Sequence, residues 1–270
     1  MSYVYGFLLS FIVSLFAFKK GSLTLSGMIA SVILGTLLFG FQSATIYMSL
    51  VGFFISSSFL SKISKFMGGK ENEEIEKRLE KSDKRDYTQV IANGGVGLIC
   101  AVLFQMTSVT LFKLGAVIAI AAANADTWAS EIGVLSKDIP INILSKTPVS
   151  KGLSGGVTKL GFMASFAGAL FIAFINTFFS IGTMSFYISI LHLSLVAFFG
   201  FLGSIIDSIL GEVFQAKYQN PQTNELTEKT YELGQRPVSG IKIVTNNVVN
   251  FISGLIATGL GMLILSLMRF

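Results

Sequence analysis

The chain reads as long apolar runs separated by short polar stretches. Runs of about 18 to 25 residues recur, the length needed to cross a bilayer of roughly 30 Å at 1.5 Å per residue. They predict about eight membrane-spanning helices, at 2–18, 23–41, 44–60, 88–106, 110–132, 158–179, 185–213 and 243–268. The seventh is long and is expected to break near Gly200 or Gly203. The period-two alternation of a membrane barrel is absent. The opening run, Met1 to Phe18, lacks a basic leader and a small-x-small cleavage site, so it reads as a retained helix.

Composition agrees with this pattern. Hydrophobic residues make up 52% and charged residues 13%, with mean hydropathy +0.70; soluble domains carry about 25% charged residues. The expected fold class is all-α, a polytopic membrane protein forming one membrane domain over 1–270. Short parallels hint at an internal duplication. Thr24-Leu-Ser-Gly-Met-Ile-Ala-Ser31 matches Thr158-Lys-Leu-Gly-Phe-Met-Ala-Ser165, Ile55-Ser-Ser-Ser-Phe-Leu60 matches Ile205-Ile-Asp-Ser-Ile-Leu210, and Asn93-Gly-Gly-Val96 matches Asn246-Asn-Val-Val249. Spans two, three and four thus align with six, seven and eight. Two parallel four-helix halves follow, 1–106 and 107–270, with a site expected between them.

The charges sort onto one face. Lys19 and Lys20 follow the first span, and the loops 61–87, 133–157 and 214–242 hold most of the other cations; the turns near 42, 108 and 182 are nearly uncharged. The positive-inside rule makes the charged face cytoplasmic and puts both termini outside. Net charge +5 then reflects orientation and contact with anionic lipid, with no case for nucleic-acid binding. Glu71-Asn-Glu-Glu-Ile-Glu-Lys-Arg-Leu-Glu-Lys81 reads as a solvated helix with i,i+4 pairs. The single cysteine, Cys100, precludes an intrachain disulfide and has no His or acid beside it. Without a transit-like leader, a prokaryotic plasma membrane is the expected location.

The candidate chemistry lies in two acidic steps of equal spacing. Asp126-Thr-Trp-Ala-Ser-Glu131 closes one apolar segment and Asp207-Ser-Ile-Leu-Gly-Glu212 another. Ionisable groups within membrane spans are costly and mark function by default. Both spans run inward, so Glu131 and Glu212 lie near the cytoplasmic surface and each Asp about 7.5 Å deeper. Asn93 and Asn247 enter the same layer from spans four and eight. Asn124 belongs to it as well, and Asn250 lies one turn deeper. Carboxylates and amide oxygens suit magnesium, which keeps waters and shares itself with phosphates. Ser130, at i+4 from Asp126, faces the same way. A hydrogen-bonded network gluing helices together is the competing reading, favoured slightly for the Asn residues alone.

The loop Thr147-Pro-Val-Ser-Lys-Gly-Leu-Ser-Gly-Gly-Val-Thr158 brings Lys151, Ser154, Gly155 and Gly156 to a helix N-terminus, a setting that favours an anion. It is not a Walker A loop, and a plain connector explains it equally well. Lys84-Arg85-Asp86 and Arg236-Pro237 precede spans four and eight, where interfacial anchoring competes with phosphate contact. His192, in an apolar stretch, and Trp128, inside the first acidic motif, read as packed residues.

Asn124-Ala-Asp-Thr-Trp-Ala-Ser-Glu-Ile-Gly133, Gly152-x-Ser-Gly-Gly-Val157, Gly203-Ser-x-x-Asp-Ser-x-Leu-Gly211 and Gln89-Val-x-Ala-Asn-Gly94 resemble the signature blocks of the phytyl-phosphate kinase family of vitamin E synthesis and its transmembrane relatives. Leu153 departs from the pattern where a hydroxyl residue is expected. The resemblance implies transfer of the γ-phosphoryl group of a nucleoside triphosphate, CTP favoured, to an isoprenyl monophosphate. It implies Mg²⁺ held by Asp126 and Asp207, with Glu131 and Glu212 secondary. Asn93, Asn124 and Asn247 would orient phosphates or metal waters. Lys84, Arg85, Lys151 and the Ser154-Gly155-Gly156 backbone would neutralise phosphate charge. The rival readings are a secondary transporter, a cytidylyltransferase acting on a lipid phosphate, and a scaffold.

Overall fold

A computed structural model describes residues 1–41, 44–78 (backbone alone from 70), 84–182, 185–232 and 234–267. Eight α-helices form among them: α1 (Ser2–Lys19), α2 (Leu25–Phe41), α3 (Ala44–Arg78), α4 (Tyr87–Thr107), α5 (Leu111–Gly133), α6 (Lys159–Phe179), α7 (Phe186–Phe214) and α8 (Asn246–Leu267). Six of them are long and apolar enough to cross a membrane. Of the other two, α2 has 17 residues. α5 has 23 but carries Lys113, Asn124 and Asp126.

Helix α5 is the centre of the molecule. It packs against α3, α4, α6, α7 and α8, and an almost unbroken row from Leu114 to Ala122 is buried. Small residues make this possible. A Cβ added to Gly200 or Gly203 of α7 would lie 2.7 or 2.5 Å from Ala121 or Ala122. These glycines therefore let α7 lie against α5, as small residues do between membrane helices. The break expected in span seven does not occur: α7 is continuous over 29 residues.

Helix α3 runs far beyond the apolar segment 44–60, past Ser61-Lys62-Ile63-Ser64-Lys65 to Arg78, with a kink at Gly69 (φ 53). Polarity ended the apolar run, but none of residues 61–65 breaks a helix. The charged side chains of 71–81 lie outside the described residues. As for the matched segments, α2 packs on α1, α3 and α4, while α6 packs on α3, α5 and α7.

Two of the charged loops contain small antiparallel hairpins. In 133–157, β1 (Ile141–Asn142) pairs with β2 (Gly156–Val157), and in 214–242, β3 (Tyr218–Gln219) pairs with β4 (Leu226–Thr227). Leu23 bridges in parallel to Arg85, tying the α1–α2 turn to the start of α4. These segments gather at one end of the molecule, around a single cavity.

Candidate active site

The cavity has a volume of about 380 Å³, and α3, α5, α6 and α7 contribute to its walls. Its acidic side is built from the ends of α5 and α7. Asp126, Ser130 and Glu131 line it from α5, and Asp207 from α7. Asp207 is only 8% exposed. The Ser253 hydroxyl of α8 donates to its Oδ2 at 2.8 Å. Asn250 lies one helical turn before Ser253; with its NH₂ turned to the carboxylate, it donates to the same oxygen and to the Asn246 carbonyl, each at 3.0 Å. Helix α8 thus supplies the groups that orient this carboxylate.

Cations share the cavity with these acids. Lys84, Arg85 and Lys151 line the cavity, joined by Lys62 and Lys65 of α3. Arg85 is anchored through both its backbone and its side chain. Its carbonyl accepts the Thr24 N–H at 3.0 Å, and its Nη1 donates to Ser58 Oγ at 3.4 Å. The guanidinium also stands 5.9 Å from the ring centroids of Phe53 and Phe54. Burial pulls its pKa below the ordinary value, and the charge of Glu131 pulls it back up. A guanidinium stays protonated in proteins, so Arg85 is a fixed positive charge beside Glu131.

The glycine loop also reaches the cavity, with Lys151 and Gly152 to Gly156 among its lining residues. Gly152 and Gly155 adopt φ 83 and 85, a region open to glycine at little cost. At Gly155 there is no room for a side chain either, since a Cβ would lie 2.6 Å from Glu212 Cβ and 3.0 Å from its Cα. Gly155→Ala is therefore expected to destabilise the protein by about 1–3 kcal/mol, read as a lowered melting temperature of the purified protein. Leu153, where the resemblance led to the expectation of a hydroxyl residue, is 8% exposed and lines the cavity.

Ser154 differs from the expectation of an open phosphate cradle. Its N–H donates to Glu228 Oε1 at 2.9 Å. Its hydroxyl lies within reach of the same carboxylate oxygen and of Gln215 Oε1. Glu228 is 6% exposed and lines the cavity from just beyond β4. The loop 214–242 thus clasps the glycine loop through Glu228 and Gln215.

Other anticipated residues lie elsewhere. Glu212 pairs with the buried Lys217 and is not among the residues lining the cavity. Asn124 is fully buried; it donates to the Gly168 carbonyl at 2.7 Å and accepts from Ser56 at 3.1 Å, joining α5 to α6 and α3. Asn93 lies 3.3 Å from Asn250, and Asn247 donates to Thr88 at 2.9 Å. These amides tie helices together. Arg236 is exposed on its loop. Trp128 donates to Ser56 at 3.2 Å and packs on Phe171, and His192 meets Asn176 at 2.9 Å. Among the described residues, no three His, Cys, Asp or Glu side chains gather closely enough to hold a metal by themselves, so the four-acid cage does not assemble.

Three residues escaped the sequence reading. Lys62 and Lys65 follow Ser58 and Ser61 at helical spacing, and extending the α3 periodicity past Leu60 would have put them on one face. Glu228 had no such signal, because only the hairpin fold carries it to the glycine loop.

The family described as Integral membrane protein DUF92 matches residues 8–258. The chain belongs to this family. It is 30% identical to Protein PGR of Arabidopsis thaliana over 94% of this chain and 93% of that protein. It is 29% identical to an uncharacterized membrane protein of Methanocaldococcus jannaschii, over 74% of this chain and 77% of that one. No solved structure matches the chain. Membership in this integral membrane family agrees with the likeness to the phytyl-phosphate kinases carried by the motifs around Asp126 and Asp207.

Proposed function

We propose that this DUF92 protein transfers the γ-phosphoryl group of a nucleoside triphosphate, CTP favoured, to an isoprenyl monophosphate such as phytyl or geranylgeranyl phosphate. The observation that carries the reading is a single cavity where the carboxylates of Asp126 and Asp207, joined by Glu131 and Glu228, meet Lys62, Lys65, Lys84, Arg85 and Lys151. Its volume lies within the range of small-molecule sites, roughly 300–1,000 Å³. The charged end would face the cytoplasm of a prokaryotic cell, where nucleotide is available.

The donor set fits magnesium. That ion is usually held by one or two carboxylates together with substrate phosphates and water, without a full protein cage. Asp126 and Asp207 would hold it, and when bound it supplies positive charge to the phosphate oxygens. The residues of the chain do the rest. The acceptor is already an anionic phosphate, so one of its oxygens attacks the γ-phosphorus while the β–γ bridging bond breaks, and no base is needed. Phosphoryl transfer depends mainly on positioning and charge, which the lysines and Arg85 provide. Ser253 and Asn250 keep Asp207 aimed. Glu228 fixes the glycine loop through Ser154. Glu228→Ala strands the Ser154 N–H, at about 1–3 kcal/mol, and is expected to lower kcat/KM roughly 10-fold or more, whereas Glu228→Gln, which keeps an acceptor, stays within a few-fold of wild type.

The deciding experiment incubates purified protein with Mg²⁺, phytyl or geranylgeranyl monophosphate and each nucleoside triphosphate in turn, and resolves products by mass. Isoprenyl diphosphate with a nucleoside diphosphate is the expected result. A nucleotidyl-lipid with pyrophosphate would mark a cytidylyltransferase. No turnover with any donor would overturn the transferase reading and leave transport to be assayed in liposomes. The unbroken α7 supports the transferase over the transporter, which a broken helix at that position would have favoured.

A further inference from the structure

The polar cavity has an apolar neighbour. A second cavity of about 60 Å³ lies between α1, α2, α3 and α4, and the two share Arg85 and Gln89 as lining residues. The walls of the second are largely apolar, among them Leu34, Val51, Phe53 and Phe54. Tyr47 closes part of it and is held by a hydrogen bond from Ser10 at 3.3 Å. Arg85 stands at the junction. Its guanidinium reaches Ser58 of the polar cavity at 3.4 Å, and the rings of Phe53 and Phe54, which line the apolar cavity, flank it at 5.9 Å. A charged head group at Arg85 would have an apolar pocket directly behind it.

We infer that this second cavity binds the phosphate-proximal isoprene unit of a phosphorylated isoprenoid whose head group sits at Arg85. The inference rests on the transferase reading for the identity of the lipid. The size of the pocket limits what it reads. At about 60 Å³ it has room for a group of a few carbons, the scale of one branched isoprene unit. Its dimensions are held by close helix contacts. A Cβ on Gly35 would meet Ser10 Oγ at 2.4 Å, and one on Gly94 would meet Leu34 at 2.5 Å. The rest of the chain lies beyond this pocket, so the pocket reads the branched first unit and is blind to total chain length.

The test is covalent capture, which needs no turnover. Geranyl phosphate carrying a diazirine on its first isoprene unit is photolysed with the purified full-length protein, and adducts are mapped by mass spectrometry. Adducts are expected on the stretches 51–54 and 89–94. Val51→Phe and Ser31→Leu, which fill the pocket from α3 and α2, are each expected to cut that labelling at least 10-fold while the melting temperature stays near wild type. Adducts confined to other helices, or labelling undiminished in every variant that folds, would overturn the inference. Turnover with labelling elsewhere removes this pocket and leaves the transferase. Labelling here with no turnover by any donor keeps the pocket and removes the transferase.

Discussion

Asp126→Asn is expected to abolish turnover, with a loss on the order of 10³-fold or more, while the protein remains folded. Asn has nearly the size of Asp and keeps a carbonyl oxygen, so the change removes charge with little change in packing. Asp126 lines the cavity and is partly exposed near the mouth of α5, with Ser130 one turn on. Losing one preorganised hydrogen-bond donor to a developing charge costs about 10²–10³-fold, and a carboxylate holding the ion that neutralises phosphate charge belongs at the upper end or beyond. The measurement is kcat of the purified variant with saturating Mg²⁺, beside its melting temperature. Near-normal turnover would remove Asp126 from the reaction. A collapsed melting temperature would identify it as a structural residue, which its partial exposure argues against.

The helices were legible because hydropathy reports burial in lipid, and most of their observed ends fall within a few residues of the apolar runs. Two features were hidden by the same signal. Where α3 leaves the apolar zone at Ser61, hydropathy falls but the backbone continues as a helix, so a cavity wall bearing Lys62 and Lys65 looked like a loop. Gly200 and Gly203 looked like breaks, yet between membrane helices a glycine more often permits contact, and here the contact is with Ala121 and Ala122. The site was legible in part. Spacing predicted the position of each polar residue along its helix but not its direction. Asn124 shares its layer with Asp126, but residues two apart on a helix point to different sides, and Asn124 faces α6 and α3 instead of the cavity. Glu212 matched Glu131 in sequence, yet Lys217, which follows it into the β3–β4 loop, takes its carboxylate. Glu228, which clasps Ser154 from 74 residues away in the chain, depends on tertiary folding, and no local pattern announces it.

Arg85→Met is expected to lower kcat/KM by about 10²–10³-fold, the range for removing one charge aimed at a reacting phosphate. The backbone at this position does not depend on the side chain. The Arg85 carbonyl accepts from Thr24 N–H, and α2 presses so closely on it that a Cβ at Gly27 would lie 2.1 Å from that oxygen. Methionine keeps an apolar stem beside Phe53 and Phe54, so most of the packing survives. The charge does not, and Glu131 loses the attraction of that guanidinium. Two explanations for lost activity then need separating: Arg85 meets the phosphates itself, or it serves only to neutralise Glu131. The double variant Arg85→Met with Glu131→Gln separates them. If Arg85 meets the phosphates, removing the stranded carboxylate recovers the melting temperature but leaves kcat/KM depressed, and KM for the isoprenyl phosphate stays high. If neutralising Glu131 were its whole task, the double variant would recover turnover too. Arg85→Lys sharpens the contrast. It restores a positive charge but not the planar fork that grips two phosphate oxygens at once, so partial recovery, well short of wild type, is the outcome expected of a residue that binds phosphate directly.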